Sequence, residues 1–175
     1  MLNKTTRLLG LVALGVLTGC GGGGGGGEAA PAEATSAVVS RLQTNGTLLT
    51  LDRTTDVAGP DVNRDGVRDD VTTWIGAQSY AADLSKAATQ LAKAYQGVLT
   101  VAVTDDAAVR AARLASSDAV ECLMQKAPSI EAGYKAVADL RRVTINTDAR
   151  VKAYLTYVEK VNDTVARAPE GDGCV

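Results

Sequence analysis

The sequence contains no histidine and no phenylalanine, and it has one tryptophan and two methionines in 175 residues. Without histidine the chain lacks the usual general base and the commonest zinc ligand, so Ser-His, Cys-His and His-zinc chemistry is excluded. No Gly-x-Ser-x-Gly elbow or phosphate-binding glycine loop is present either. An enzyme built on this chain would have to work with carboxylates, lysines or tyrosines, and no pair of these stands apart from ordinary helix-surface charge. There is no basic stripe and no aromatic stacking platform, which argues against a nucleic-acid partner. With aromatics at 3%, the core has to rest on Ala, Val and Leu, side chains that suit closely approaching helices.

No apolar run reaches the roughly 20 residues a membrane helix needs. An uncharged apolar stretch near the amino terminus, Leu8 to Leu17, follows Lys4 and Arg7, and this is the order of a signal peptide's positive and apolar regions. It ends in Leu17-Thr18-Gly19-Cys20, which resembles the lipobox of bacterial lipoproteins. The resemblance implies cleavage before Cys20, acylation of that cysteine and attachment to a membrane in the cell envelope. Gly21 after the cysteine implies, by the same resemblance, an outer-membrane protein facing the periplasm, with a plasma-membrane anchor as the alternative. Residues 1–19 are then the signal peptide. Residues 20–36, with seven consecutive glycines from Gly21 to Gly27, read as a lipidated cysteine and flexible tether. Residues 37–175 remain for one domain.

Removing Lys4 and Arg7 from the 18 basic side chains leaves 16 against 20 acidic ones. Setting Cys20 aside also leaves two cysteines, Cys122 and Cys174. In an oxidising envelope compartment these are expected to pair.

Apolar spacing from Tyr80 onward is helical. Tyr80, Leu84, Ala87, Leu91, Ala94 and Val98 share one face, although the β-branched run from Val98 to Val103 is also compatible with a short strand. Thr104, followed by Asp105 and Asp106, predicts the start of a second helix ending near Lys126, before Pro128. Ser129 caps a third, with Ile130, Tyr134, Val137 and Leu140 on one side. Asn146 or Thr147 begins a fourth, with Val151, Leu155, Val158 and Val165 inward and an end near Pro169. The tyrosines and methionines are expected in the core. The fold class is therefore all-α, a small bundle of about four main helices. The stretch from Ser36 to Gly59 is ambiguous, with an apolar Val38, Val39, Leu42 pattern and an Asn45-Gly46 turn signal.

One segment carries a chemical pattern: Asp61-Val62-Asn63-Arg64-Asp65-Gly66-Val67-Arg68-Asp69-Asp70. It resembles the calcium loop of EF-hands and, in its shortened form, those of dockerins and thrombospondin-type repeats. Oxygen ligands at alternate positions wrap a hard cation while Gly at the sixth permits the sharp turn. The resemblance implies calcium held by Asp61, Asn63 and Asp65, by the Val67 carbonyl and by Asp69. Thr72 stands where an EF-hand has its bidentate Glu, and Asp70 is the candidate to compensate. Pro60 removes the entering helix, leaving a loop and one helix from Asp70 to about Gln78. Arg64 and Arg68, at even positions, are expected to point away from the ion. A set of Asx and glycine turns needing no ion is the competing account of the loop.

These features describe a non-catalytic envelope lipoprotein with a structural calcium loop (61–72) and an unidentified protein partner. The alternatives are an accessory subunit presenting a bundle groove to a partner or ligand, and an enzyme with a carboxylate-based site.

Overall fold

The computed structural model describes residues 35–44, 48–162, 164 and 171–175. The signal-peptide and Cys20 assignments, the tether as far as residue 34, the Asn45-Gly46 turn and Val165 lie outside the described residues, while Thr35 and Ser36, assigned to the tether, begin a helix.

Among the described residues six helices follow one another: α1 (Thr35–Thr44), α2 (Asp69–Gly76), α3 (Ala82–Thr100), α4 (Asp106–Lys126), α5 (Ile130–Thr144) and α6 (Asp148–Val161). The class is all-α, and no strand occurs among the described residues. Val98 to Thr100 belong to α3 rather than to a strand, because Val98 and Leu99 are needed on its buried face. The four longer helices start where side-chain chemistry provides a cap, with one exception. Asp105, not Thr104, accepts from the amides of Ala107 and Ala108, Ser129 accepts from Ala132 and Thr147 from Arg150. Each cap satisfies an amide that the first helical turn leaves without a partner. Ala81, at the start of α3, contributes none.

Helix α3 is the centre of the bundle and touches α2, α4, α5 and α6. Its inner face carries Ala87, Ala88, Leu91, Ala92 and Tyr95, and on α4 Ala119 and Leu123 are equally buried. Alanines at these positions let the backbones approach closely, which replaces the aromatic bulk the sequence lacks. Tyr95 is the exception, and burial pushes its phenol up to about 12, so it remains neutral. Val98 of α3 meets Val109 of α4 and Tyr157 of α6 in a second, smaller cluster. Lys160 near the end of α6 pairs with Asp106 at the start of α4 at 2.7 Å.

Two inward faces differ from expectation. On α6, Val151, Leu155 and Val158 are 41, 52 and 38% exposed, whereas Arg150 and Tyr157 are buried. The helix has two stripes, and the polar one faces in because its arginine finds a full set of acceptors. On α5, Ile130 and Tyr134 are 73 and 66% exposed. Gly133 takes the inward place in that turn, where a Cβ would lie 2.7 Å from the Met124 sulfur.

Cys122 and Cys174 form a disulfide with Cα atoms 4.8 Å apart. It holds the carboxyl-terminal tail on α4, and the tail is further fixed by Gln90, which donates to the Gly173 carbonyl at 2.7 Å. Gly173 has φ +67°, and a Cβ there would sit 2.3 Å from the Asp118 carbonyl oxygen. Closing 52 residues of chain stabilises the fold by about 4 kcal/mol in the chain-entropy account.

Candidate functional site

The acidic loop is built from short-range hydrogen bonds. Asp61 accepts from the amides of Asp65 at 3.2 Å and Gly66 at 3.0 Å. Asn63 Oδ1 accepts from Asp65 at 3.1 Å, and Asp65 accepts from Val67 at 2.8 Å. The three side chains named as ligands therefore all turn toward the loop's own amides. The turn requires left-handed backbone at Arg64 (φ 57°) and Gly66 (φ 86°). Glycine adopts this freely, while at arginine it costs about 1 kcal/mol. Asp69 closes the loop: its amide donates to the Pro60 carbonyl at 2.9 Å and its carboxylate accepts from Val62 at 3.2 Å. Val67, Val71 and Ile75 are buried and anchor the exit of the loop and α2 in the core.

Asp70 belongs to a different structure. One of its oxygens accepts from Arg68 Nε at 2.5 Å, and the other accepts from Arg68 Nη2 at 3.1 Å and the Asp52 amide at 2.6 Å. Both of its oxygens are engaged in this pairing, and Thr72 is exposed. Arg68 does point away from the loop, but into the protein, where it is 1% exposed. It donates to the carbonyls of Thr144 and Val143 at 3.2 and 3.0 Å. These are carbonyls of the last turn of α5, which the helix itself leaves unsatisfied and which favour a cation.

Arg150 is the counterpart from α6, with no exposed surface. It donates to the carbonyls of Asp52, Asp56 and Val57 at 2.9, 2.9 and 3.2 Å. It also reaches Asn146 Oδ1 at 2.8 Å and the Asp52 carboxylate at 2.5 Å. The Arg150 guanidinium holds the Asp52 carboxyl below the usual carboxylate range, against the opposing effect of burial. Asn146 Nδ2 returns a bond to the Asp52 carbonyl at 2.9 Å. Between the two arginines the chain can only be glycine: at Gly59, φ +65°, a Cβ would lie 2.3 Å from Arg68 Cδ and 2.8 Å from Arg150 Nη2.

In the sequence Arg68 was expected only to point away from an ion and Asn146 only to begin a helix, and Asp52 and Arg150 carried no mark, since arginine on a helix is ordinarily a solvated residue. Gly59 before Pro60 is the one local mark of the close approach. The arrangement straps segment 52–59 to the α5–α6 corner immediately before the acidic loop begins.

As a metal site the loop offers oxygens from Asp61, Asn63, Asp65, the Val67 carbonyl and Asp69, a set suited to a hard cation. No group of three or more carboxylate, thiol or imidazole side chains is gathered as a cage among the described residues, so Asn63 and the backbone would have to share the coordination. Elsewhere among the described residues are three grooves of about 340 to 380 Å³. Each is lined by at most one side-chain carboxylate. The second is lined by Tyr80, Leu84, Lys126 and Lys135, and burial, then the charge of Asp139, raises the Tyr80 phenol. No described helix is long and apolar enough to cross a membrane.

No family model matches the chain, and neither does any curated protein or solved structure.

Proposed function

We propose that this chain is a non-catalytic cell-envelope lipoprotein, acylated at Cys20, whose acidic loop binds one calcium ion as a structural clamp. The observation that carries the calcium reading is the loop itself. Asp61, Asn63 and Asp65 turn inward onto the amides of residues 65 to 67 while Arg64 and Gly66 hold left-handed backbone. This is a preorganised oxygen-lined turn, retained at the cost of strain at Arg64. Asp61, Asn63, Asp65, the Val67 carbonyl and Asp69 would hold the ion, and Asp70 would remain with Arg68. Calcium would add a cationic centre to a segment rich in carboxylates, fixing the junction between the strapped segment 52–59 and α2. Without a bidentate residue at position twelve, affinity on the order of 10⁻⁴ to 10⁻³ M is expected, as in extracellular modules. Such a site stays filled in a calcium-rich compartment and does not act as a sensor. Gly21 after the Leu17-Thr18-Gly19-Cys20 motif favours, by the same resemblance, an outer-membrane location facing the periplasm.

Calorimetry in chelator and in calcium tests the clamp. At 100 times Kd the ion is expected to add about 2.7 kcal/mol of stability, and Asp65→Ala removes that increment. Equal melting temperatures in both conditions with no heat of binding would leave the turns as ion-free Asx turns. The anchor is tested separately by fractionation, where Cys20→Ser is expected to release the protein from the membrane. Retention of that variant would refute the lipid attachment.

A further inference from the structure

The outward face of α6 consists of Val151, Leu155 and Val158, spaced by four and three residues and all exposed. Lys152 and Glu159 lie along one flank of this stripe, also exposed, and neither takes part in any ion pair among the described residues. We propose that this face binds α6 of a second copy of the chain, antiparallel, with a two-fold axis passing at Leu155.

The charge pattern selects this occupant and this direction. About a two-fold at Leu155, a residue n places before it meets the residue n places after it on the second helix, and a flank stays on the same side. Lys152 then meets the partner's Glu159, and Glu159 meets the partner's Lys152, with axial offsets of about one residue rise, 1.5 Å. Val151 and Val158 fall against the partner's Val158 and Val151, and Leu155 packs on its own copy. Such an isologous contact is self-complementary by construction. A parallel pair would instead turn the charged flank toward the partner's Tyr154 side, where no charge meets it. The apolar surface continues from Val151 into a groove of about 370 Å³ lined by Leu51, Val143 and Ile145. A pair of 14-residue helices falls short of the roughly 800 Å² per partner of a stable interface, so the association is weak in dilute solution.

Sedimentation equilibrium of the full chain carrying Cys20→Ser, up to about 500 μM, tests the proposal without a contribution from the amino-terminal thiol. A reversible dimer is expected. Lys152→Glu and Glu159→Lys each convert two attractive pairs into two repulsive ones and are expected to weaken it about tenfold. The double variant Lys152→Glu/Glu159→Lys restores it, and an equal mixture of the two single variants associates more tightly than either alone. The substituted positions are exposed, so circular dichroism should be unchanged in all three variants. A monomer at every concentration overturns the proposal. So does association that ignores the charge exchange, since that would mean the face binds through its apolar stripe alone, or that another surface pairs.

Discussion

The acidic loop and the arginine seam are neighbours in the chain and opposites in construction. In the loop, side chains reach amides two to seven residues away, and Asn63 and Asp65 are exposed. In the seam, Arg68 reaches carbonyls 75 and 76 residues away, and Arg150 reaches acceptors 93 to 98 residues away, with both guanidiniums buried. The loop sets its own shape. The seam fixes where that shape sits on the bundle. A local oxygen-lined turn therefore needs little from the fold beyond the anchoring of Val67 and Val71, whereas the seam exists only once α5, α6 and segment 52–59 have met.

The sharpest way to break this contrast is to remove Arg150. Arg150→Met keeps the aliphatic stem but removes the guanidinium from the Asp52 carboxylate and from the carbonyls of Asp52, Asp56 and Val57, of which only Asp52 retains other donors among the described residues, Thr54 and Asn146. Loss of one partner from a buried charged pair costs about 3 to 5 kcal/mol, and chemical denaturation should show a loss of that size. A change below about 1 kcal/mol would mean that water replaces the guanidinium easily and that the seam is not a strap. Asp65→Ala in chelator is the counterpart. There the side chain is exposed and the contacts are local, so the expected loss is under about 1 kcal/mol, and the larger effect appears only with calcium present. If Asp65→Ala destabilised the chelated protein as much as Arg150→Met does, the two regions would not differ in the way described.

The same division explains what could be read from the residues. Helix starts at Ser129 and Thr147 were legible because a cap is a relation between a side chain and an amide three residues on. The loop 61–70 was legible for the same reason. Thr104 was named as a cap where Asp105 serves, an error of one residue at a position where both are competent. The inward face of α6 was misread. Val151, Leu155 and Val158 form a proper apolar stripe, and nothing in the helix reveals that Arg150, one position away, finds acceptors on a segment more than 90 residues earlier. Asp70 shows the same dependence on distant partners. Its spacing suits the ion, but its oxygens go to Arg68 and the Asp52 amide. Buried arginines are rare enough that a reading from spacing sends them to solvent, so a seam made of two of them was invisible.

The smallest effect concerns protons, and it tests whether the seam is electrostatic at its edge. Asp52 has its folded pKa depressed below the ordinary carboxylate value, first by the hydrogen bond from Arg150 and further by the bonds from Thr54. A carboxyl whose folded pKa lies below its unfolded one contributes stability that is complete above the unfolded value, near pH 4, and is lost as the pH falls through the folded value. Between these two pKa values the unfolded chain binds the proton that the folded chain refuses, so stability must decline with acid in that window. Urea denaturation of the wild type at pH 5, 4 and 3 is expected to show that decline. Asp52→Asn keeps the shape but has no proton to take up, so it should be less stable at pH 5 and show a shallower fall between pH 4 and pH 3. Asp106 and Asp172 remain in both proteins with depressed values of their own, set by Lys160 and by the Cys174 amide, and so provide a common background that the comparison cancels. Equal slopes for the two proteins would show that Arg150 holds the segment through its three carbonyl acceptors, and that the Asp52 charge is incidental to the strap.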